Sequence, residues 1–406
     1  MKPGKSGGPT ALQGELARAL QQHQQGQLAQ AEQGYRRILR SAPQQFDALQ
    51  LMGVLAGQTQ RFDEALDWLQ RALKQRPDSA PALNNLGNTL ANLGRHAEAL
   101  QAFDRALALR PTDHKALRNR GTALRALGRR EDALASFDAA LALAPNYAEA
   151  LVSRAEALVS LQRHDEAVAA FERALPLGKD TELIRYALAS LGAQATPPAA
   201  PPDYVAALFD GYADNFDAHL QGKLAYRTPE LLAQALMAQQ PPVHSHIVDL
   251  GCGTGLCGPH LKPLARRLVG VDLSAAMLDK ARATGLYDEL IQGDLAPVLR
   301  AQPASLDIAV AADVFVYIGD LAEVFAAVQA RLQPGGLFAF SVEACDDETT
   351  DYRLSPTRRY AHSLPYLQRL AAAQGFNMLS SQCQAIRQQA DQAVQGWLVV
   401  LRRQVA

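Results

Sequence analysis

The residues best able to do chemistry fall in one run, His246-Ile-Val-Asp-Leu-Gly251-Cys-Gly253-Thr-Gly255-Leu256, followed by Leu268-Val-Gly-Val-Asp272-Leu-Ser274. The loop of Gly251, Cys252, Gly253 and Gly255 lets a ligand lie against bare backbone. Its N–H groups, with the positive end of a following helix, are able to hold an anionic group. Asp272, with Leu273 beside it at the tip of the second hydrophobic run, is placed to accept both hydroxyls of a ribose. That chemistry is nucleotide binding, but Gly253-Thr-Gly255-Leu-Cys-Gly258 also satisfies the dinucleotide pattern G-x-G-x-x-G, so the loop alone does not choose the ligand. Asp249 decides, because it stands two residues before the first glycine, where a carboxylate would face any pyrophosphate in the loop. Two unit charges ~6 Å apart at an effective dielectric of ~20 repel by roughly 3 kcal/mol, on the order of a hundredfold in affinity. A pyrophosphate, and with it an NAD-dependent oxidoreductase, is disfavoured. S-adenosylmethionine brings an ammonium and a sulfonium instead, and the same acid attracts them.

The elements that must position these groups follow from the pattern. A hydrophobic run ending in glycines, then a helix, then a hydrophobic run ending in an acid is the βαβ unit of a nucleotide-binding α/β sheet. The stretch Val248-Asp-Leu-Gly-Cys-Gly-Thr-Gly255 resembles the first motif of the class I, seven-strand methyltransferases. The resemblance continues through Gly270-Val-Asp-Leu-Ser274, Gln292-Gly-Asp294-Leu295 and Leu332-Gln-Pro-Gly-Gly336-Leu-Phe-Ala-Phe340, in that family's order. It implies S-adenosylmethionine as cofactor, an adenine amino group donating to Asp294, and a backbone N–H of Leu295 offered to the ring. Phe209-Asp-Gly-Tyr212-Ala-Asp-Asn-Phe216-Asp217 resembles the leading helix of several small-molecule methyltransferases, with Phe in place of Tyr at 216. There the segment covers the donor's methionine end, which makes Tyr212 and Phe216 candidate cap residues; core packing of an aromatic stripe is the alternative. Gly375-Phe-Asn-Met-Leu-Ser-Ser and Gly396-Trp-Leu-Val-Val-Leu-Arg read as a closing hairpin, the last of the seven strands being antiparallel.

The acceptor side belongs at the carboxyl edge of the sheet, beyond the fourth strand, where Asp313-Val-Phe-Val-Tyr317-Ile-Gly-Asp320 lies. Asp313 is counted with the cofactor-binding residues. The fifth strand ends at Glu343, and the insertion Ala344 to Leu364 carries Tyr352, Arg353, Arg358, Arg359, Tyr360 and His362. Its length points to an active-site lid rather than a mobile surface loop, with Tyr360 a candidate substrate contact. Methyl transfer is an in-line displacement that needs alignment and exclusion of water, and needs a base only if the acceptor carries a proton. His362, Tyr317 and Glu343 are the candidates for that base. No D/N-P-P-Y/F and no Pro-Cys follows the fourth strand, so the amide, adenine and cytosine-C5 methylase classes are not indicated.

The first half carries a different signal. Pro43, Pro77, Pro111 and Pro145 recur every 34 residues. Ala31, Ala65, Ala99, Ala133 and Ala167 keep that phase, as do Tyr35, Leu69, Phe103, Phe137 and Phe171, and Gly53, Gly87 and Gly121. This is the period of a tetratricopeptide repeat, and Ala97-Glu-Ala-Leu-Gln-Ala-Phe-Asp-Arg-Ala-Leu resembles a second helix of that family. Five repeats are expected over 12–179, the fifth irregular with Pro176 early and Lys179 at the proline position, then a capping helix over 180–191. Asn84, Asn88 and Asn92, with Arg118, Thr122 and Arg125, share the first-helix face. The face resembles the asparagine ladder of peptide-binding arrays, with Arg available for a carboxylate; a merely solvated polar face is the alternative.

Domain by domain, the expectation is a disordered tail (1–11), a tetratricopeptide array (12–191), a Pro-rich linker acting as a semi-rigid spacer (192–203), and a methyltransferase domain (204–406). The fold class is an α-helical solenoid followed by an α/β, Rossmann-like, seven-strand domain. A net charge of −1 gives no electrostatic case for nucleic acid or an anionic membrane. No long apolar run and no leader-like h-region is present, and Cys252, Cys257, Cys345 and Cys383 form no C-x-x-C pair, so a cytoplasmic protein without bound metal is expected. The function expected is S-adenosylmethionine-dependent methyl transfer to an acceptor, protein or carrier-bound, recruited by the repeats. An interaction scaffold with a donor-sensing or inactive methyltransferase fold is the competing reading.

Overall fold

The computed structural model describes residues 9–178, 180–213, 216, 226–302, 305–389 and 392–405. The expected disordered tail lies largely outside them, and its last residues already belong to the first helix. Contacts divide the chain into two units, Met1–Lys179 and Asp180–Ala406.

In the first unit, short loops make successive helices pack in pairs. These are α1 (Pro9–Gln24) with α2 (Leu28–Ser41), α3 (Phe46–Gln58) with α4 (Phe62–Gln75), α5 (Ala80–Asn92) with α6 (His96–Leu109), α7 (His114–Ala126) with α8 (Arg130–Leu143), and α9 (Ala148–Ser160) with α10 (His164–Ala174). The phased residues explain the pairing. All five repeat alanines are buried without residual exposure, as are Tyr35, Leu69 and Phe137. A Cβ on Gly87 or Gly121 would stand 2.5 Å from the ring of Phe103 or Phe137, and one on Gly53 would stand 2.6 Å from Leu69. The helices therefore meet by seating a large side chain in the notch a glycine leaves. The prolines sit past each second helix, and three of their carbonyls accept from an arginine one repeat on: Arg71 to Pro43 (3.4 Å), Arg105 to Pro77 (3.4 Å) and Arg173 to Pro145 (3.2 Å). The fifth pair ends early, at Ala174, and Pro176 lies within a short 3-10 turn, Leu175–Leu177; position 179 is outside the described residues.

Helix α11 (Thr181–Ser190) corrects the expected boundary. It belongs to the second unit: Tyr186 is buried with Val205, Leu354 and Tyr360, and its hydroxyl donates to the Arg358 carbonyl at 2.9 Å. The Pro-rich stretch after it is not a spacer. Ala200 donates its N–H to the Tyr317 carbonyl (2.9 Å), and the Pro198 carbonyl accepts from Gly319 (2.7 Å) and Asp320 (2.9 Å). The Tyr360 hydroxyl donates to the Pro197 carbonyl at 2.8 Å. Prolines lack N–H groups but keep their carbonyls, so the segment works as a strap of acceptors. The second unit thus begins at Asp180 rather than at 204.

Its sheet contains β1 (Ser245–Leu250), β2 (Ala265–Asp272), β3 (Glu289–Gln292), β4 (Leu306–Ala311), β5 (Leu332–Ala344), β6 (Tyr352–Leu354), β7 (Tyr360–His362), β8 (Phe376–Gln389) and β9 (Gln392–Arg403). The main order is β3-β2-β1-β4-β5-β9-β8, parallel except for β9, and the β6–β7 hairpin pairs with the far end of β5 through Glu343 and Ala344. This is the expected seven-strand class I sheet with an added hairpin. Near-continuous apolar strands follow from burial on both faces. Val248, Leu250, Phe338 and Phe340 pack on one side, and Ile247, Ile308, Val310 and Ala339 on the other. The helix expected after the glycine loop is only Gly258–Leu261, followed by a 3-10 turn. Four residues carry little macrodipole, so anion binding at its N-terminus has no structural basis. Among the described residues, no helix is long and apolar enough to cross a membrane, and no cluster of His, Cys, Asp and Glu could hold a metal.

Candidate functional site

A cavity of about 300 Å³ opens at the carboxyl ends of the strands, where α/β sheets place ligands. Its floor is Gly251 and Gly253. Both have positive φ (65° and 54°), which glycine adopts without strain. The two glycines differ in what they leave room for. A Cβ on Gly251 would strike the Val314 side chain, whereas one on Gly253 would meet nothing nearer than Phe216 at 3.9 Å and would enter the cavity.

One end of the cavity is built by the tips of β2 and β3. Asp272 accepts the N–H of Gly253 on Oδ2 and that of Ser274 on Oδ1, each at 2.9 Å, which locks the strand tip to the loop. Burial raises its carboxyl above the usual range against those bonds. Leu273, Asp294 and Leu295 continue the wall. Asp294 caps the helix Leu295–Ala301, and the Leu295 N–H donates to its own neighbour's Oδ1 at 2.7 Å. The N–H expected to face an adenine ring is therefore already engaged. Phe209 and Phe216 close this cavity from α12 (Pro202–Asp210) and the segment after it; Tyr212 touches the Phe216 ring (5.7 Å) but is not on the wall. Asp217 lies outside the described residues.

Three expected contacts turn away from the cavity. Asp249 is buried, and its Oδ2 accepts from the Tyr287 hydroxyl at 2.6 Å while Oδ1 has no partner. Burial pushes its carboxyl up to about 7, with the Tyr287 bond opposing and Asp272 adding to the rise. Gly255 faces Tyr287, whose ring edge lies 3.0 Å from where a Cβ would be. Cys252 packs with Leu278 and Ala281. The glycines of the motif thus serve Tyr287 beneath the loop as much as any ligand above it.

The other end is built by β4, β5, the inserted hairpin and β8. Asp313 has a positive φ of 56°, and its N–H donates to Ser341 Oγ at 2.8 Å. Arg387, with a side chain only 3% exposed, reaches Asp313 Oδ2 at 3.3 Å and Glu343 Oε1. Arg359 reaches the same Glu343 oxygen at 3.4 Å and lies 5.9 Å from the centre of the Tyr317 ring. Burial raises Asp313 against the pull of Arg387 and Arg359, and burial also raises Tyr317. Asp313, Tyr317, Arg359 and Arg387 are on the wall. Glu343, a candidate base, is held behind it by two guanidiniums.

His362 and Tyr360 are corrected by their surroundings. The His362 ring is buried against Tyr366, and Nε2 meets the Gly319 carbonyl at 3.0 Å. Burial depresses the imidazole to about 4, and it does not reach the cavity. Tyr360 is buried against Tyr186 and Tyr352 and holds the strap. The insertion is therefore not a free lid but a hairpin pinned to β5, the strap and α11. Sequence reasoning missed Arg359, Arg387 and the strap residues Pro198 to Ala200 as cavity walls. Arg387 gave no clear signal, standing in a largely polar strand end beside Ile386; a β-bulge falls between Ala385 and Arg387, where the side chain is buried.

In the first unit, Asn88, Asn92, Arg118, Asn119 and Thr122 line a separate groove. Asn84 accepts from Asn119 at 3.1 Å, and Arg118 donates to Asn119 at 2.8 Å with its Nε buried and unpartnered. Arg125 is exposed and outside this groove.

Comparison with known proteins agrees with both architectures. The family model described as a methyltransferase domain matches residues 247–336, and that described as a tetratricopeptide repeat matches 15–80, 51–114 and 118–180. The chain is 30% identical over 142 residues to a malonyl-[acyl-carrier protein] O-methyltransferase of Yersinia pestis, covering 34% of this chain and 50% of that one. It is 33% identical over 149 residues to a trans-aconitate 2-methyltransferase of Deinococcus radiodurans, covering 35% and 54%. The chain thus spans about half the length of these curated relatives. A crystal structure of a thermophilic TPR protein in Thermus thermophilus is 25% identical, with 45% of this chain and all of that one covered and a TM-score of 0.39.

Proposed function

From a chain that joins tetratricopeptide repeats to a class I methyltransferase domain, we propose an S-adenosylmethionine-dependent methyltransferase whose repeats hold a protein or carrier-bound acceptor. The observation that carries this is the pairing of Asp272 with the open position at Gly253. Each Asp272 oxygen spends one lone pair on a backbone N–H, and a carboxylate has about four acceptor sites, so acceptors remain for two ribose hydroxyls. The bare Gly253 backbone leaves room for the ligand above it. Asp294 is the acceptor for an adenine amino group, and Leu273 and Leu295 supply apolar wall. Asp249 lies below the loop, bonded to Tyr287, and does not line the cavity.

Bound there, S-adenosylmethionine supplies a methyl group activated on a sulfonium. The chain's own residues align and dehydrate: Phe209, Phe216 and the strap from Pro198 to Ala200 exclude water from the cavity. The relatives' names place their acceptors on malonyl-[acyl-carrier protein] and on trans-aconitate, and neither is carried over. In the first unit, Asn84, Asn88 and Arg118 are the residues we assign to holding a peptide segment; Arg125 is left to solvent.

Calorimetry on the full chain tests the reading. One molecule of S-adenosylmethionine is expected to bind. Asp272→Ala should weaken it by about tenfold or more, through loss of two hydrogen bonds to a charged group, and Gly253→Val should abolish it. Unaltered affinity in both variants, or tight binding of NAD by the parent, refutes the assignment. Arg118→Glu should leave donor affinity alone and lower methylation of a recruited protein acceptor.

A further inference from the structure

We propose that the strap over 197–200 and helix α12 form a clasp that closes on the ligand of the cavity, pinned at one end by Tyr360 and at the other by Asp210, both acting as positioning residues. This rests on the reading that the ligand is S-adenosylmethionine. Neither pin lies in the stretch 247–336 that the methyltransferase family model matches.

The clasp is part of the cavity wall. Pro198, Ala199 and Ala200 line the cavity, and so does Phe209 of α12. Pro198 and Ala199 are exposed, which leaves apolar surface there for a ligand to cover. The grip of the strap on the sheet is short. The Pro198 carbonyl accepts the N–H groups of Gly319 and Asp320 at 2.7 and 2.9 Å, and the Ala200 N–H donates to the Tyr317 carbonyl at 2.9 Å. Ala199 bridges to Ile318, and the Tyr360 hydroxyl donates to the Pro197 carbonyl at 2.8 Å. Two consecutive prolines have no N–H with which to lengthen this ladder. These four hydrogen bonds, each of small net effect in water, stand against the entropy of ordering the segment. Docked and undocked forms of the strap are thus close in free energy, and a ligand that touches only the docked form decides between them.

The stretch 317–320 couples the strap to the ligand. Its backbone holds the strap, while the side chains of Tyr317, Ile318 and Asp320 line the cavity. A ligand that orders these side chains orders the strap's partners, and linkage makes the effect reciprocal. The other end of the clasp reaches the ribose side. Asp210 Oδ1 accepts from the Ser274 hydroxyl at 2.5 Å and from the Ala276 N–H at 3.3 Å. Ser274 is fully buried, and its own N–H donates to Asp272 Oδ1. Asp210 therefore holds the residue that holds Asp272, the acceptor assigned to the ribose hydroxyls. One continuous run of chain, 197–210, joins the hairpin on one side of β1 to the tip of β2 on the other.

The size of the effect follows from the balance. With docked and undocked forms about equally populated, about half of the chains are competent to bind. Loss of one hydrogen bond lowers the docking equilibrium about fivefold. That leaves about one chain in six competent and raises the apparent Kd about threefold. The same change costs the native state little, because the undocked form was already populated.

The test uses the full chain and S-adenosylmethionine, with affinity from calorimetry and hydrogen exchange followed at the amides of Ala200, Gly319 and Asp320. Donor at about a hundred times its Kd should slow exchange at these amides by about tenfold or more. Tyr360→Phe keeps the ring and removes one hydroxyl. It should raise Kd about threefold and speed exchange at the same amides in the ligand-free chain, with the thermal midpoint within about 2 °C of the parent's. Asp210→Ala should raise Kd by about threefold or more, and Asp210→Asn, which keeps an acceptor for Ser274, should recover most of the loss. A purely structural role would move the midpoint and leave the donor-dependent protection as it is. Donor that binds without slowing exchange at these amides overturns the proposal, and so does slowing by an equal factor throughout β1 and β2, which would report stabilisation of the whole unit. Parent-like affinity in both Tyr360→Phe and Asp210→Ala overturns it as well. Failure of the parent to bind S-adenosylmethionine is a different result and refutes the underlying reading instead.

Discussion

Asp249→Asn is the perturbation with the clearest magnitude. The parent carboxyl is buried, takes one hydrogen bond from Tyr287 and leaves Oδ1 without a partner, and burial raises it from 3.8 to about 7. A raised carboxyl means that the folded chain holds a proton which the unfolded chain has released. Its stabilising contribution is complete below about pH 4 and is lost as pH rises through about 7. Three pH units of displacement at about 1.4 kcal/mol each correspond to roughly 4 kcal/mol in all, more than half of which falls between pH 5 and 8. Asparagine keeps the acceptor for Tyr287 and removes the titration. The assay is thermal unfolding of the ligand-free protein at pH 5 and pH 8, following the transition of the second unit in parent and variant. Taking the difference between them cancels titrating groups remote from Asp249, His362 included, and leaves Asp249 with its coupled neighbour Asp272. The variant should gain on the parent by several degrees at pH 8 relative to pH 5, at about 2–4 °C per kcal/mol for a unit of this size. Parallel pH profiles in the two proteins would refute the picture of an acid buried beneath the glycine loop.

Two further perturbations separate packing from chemistry. Gly87→Ala and Gly121→Ala should each destabilise the repeats by about 1–2 kcal/mol, because overpacking against Phe103 or Phe137 exceeds the gain in helix propensity. Gly57→Ala, where a Cβ meets nothing within 4 Å, should instead be neutral or stabilise by up to about 1 kcal/mol; urea unfolding measures all three, and equal effects would exclude the notch. His362→Gln should lower stability at neutral pH by about 1–3 kcal/mol while leaving the pH–rate profile unchanged in shape, since the ring holds the Gly319 carbonyl and does not reach the cavity. The parent imidazole is depressed to about 4, so its stabilising contribution is present above about pH 6.5 and is lost as pH falls towards 4. The variant's acid-unfolding limb should be correspondingly shallower, and a lost inflection in its rate profile would restore His362 as a base.

What was legible in the sequence is what local backbone constraint dictates. The 34-residue phase was readable because Gly87 and Phe103, or Gly121 and Phe137, solve one packing problem repeatedly at a fixed separation. The strand, glycine loop and Asp272 were readable because positive φ and a strand-tip acid leave few alternatives over a short stretch. Orientation was harder to read. Asp249 stands where a ligand-facing acid would stand, and only Tyr287, 38 residues later, turns it downward. The Pro-rich stretch has the composition of a spacer, and it became a strap because the N–H groups of Gly319 and Asp320, more than a hundred residues on, point at the Pro198 carbonyl. His362 and Arg359 are three residues apart in one insertion, and the pairing of β7 with β5 buries the first and delivers the second to the wall. The β2–β3 end of the cavity is therefore assembled from neighbours in sequence, whereas the opposite end draws on the hairpin and a bulge in β8, elements far apart in the chain. Substitutions in the strap or hairpin should accordingly reshape the walls around Arg359 and Arg387 without disturbing the residues at the tips of β2 and β3.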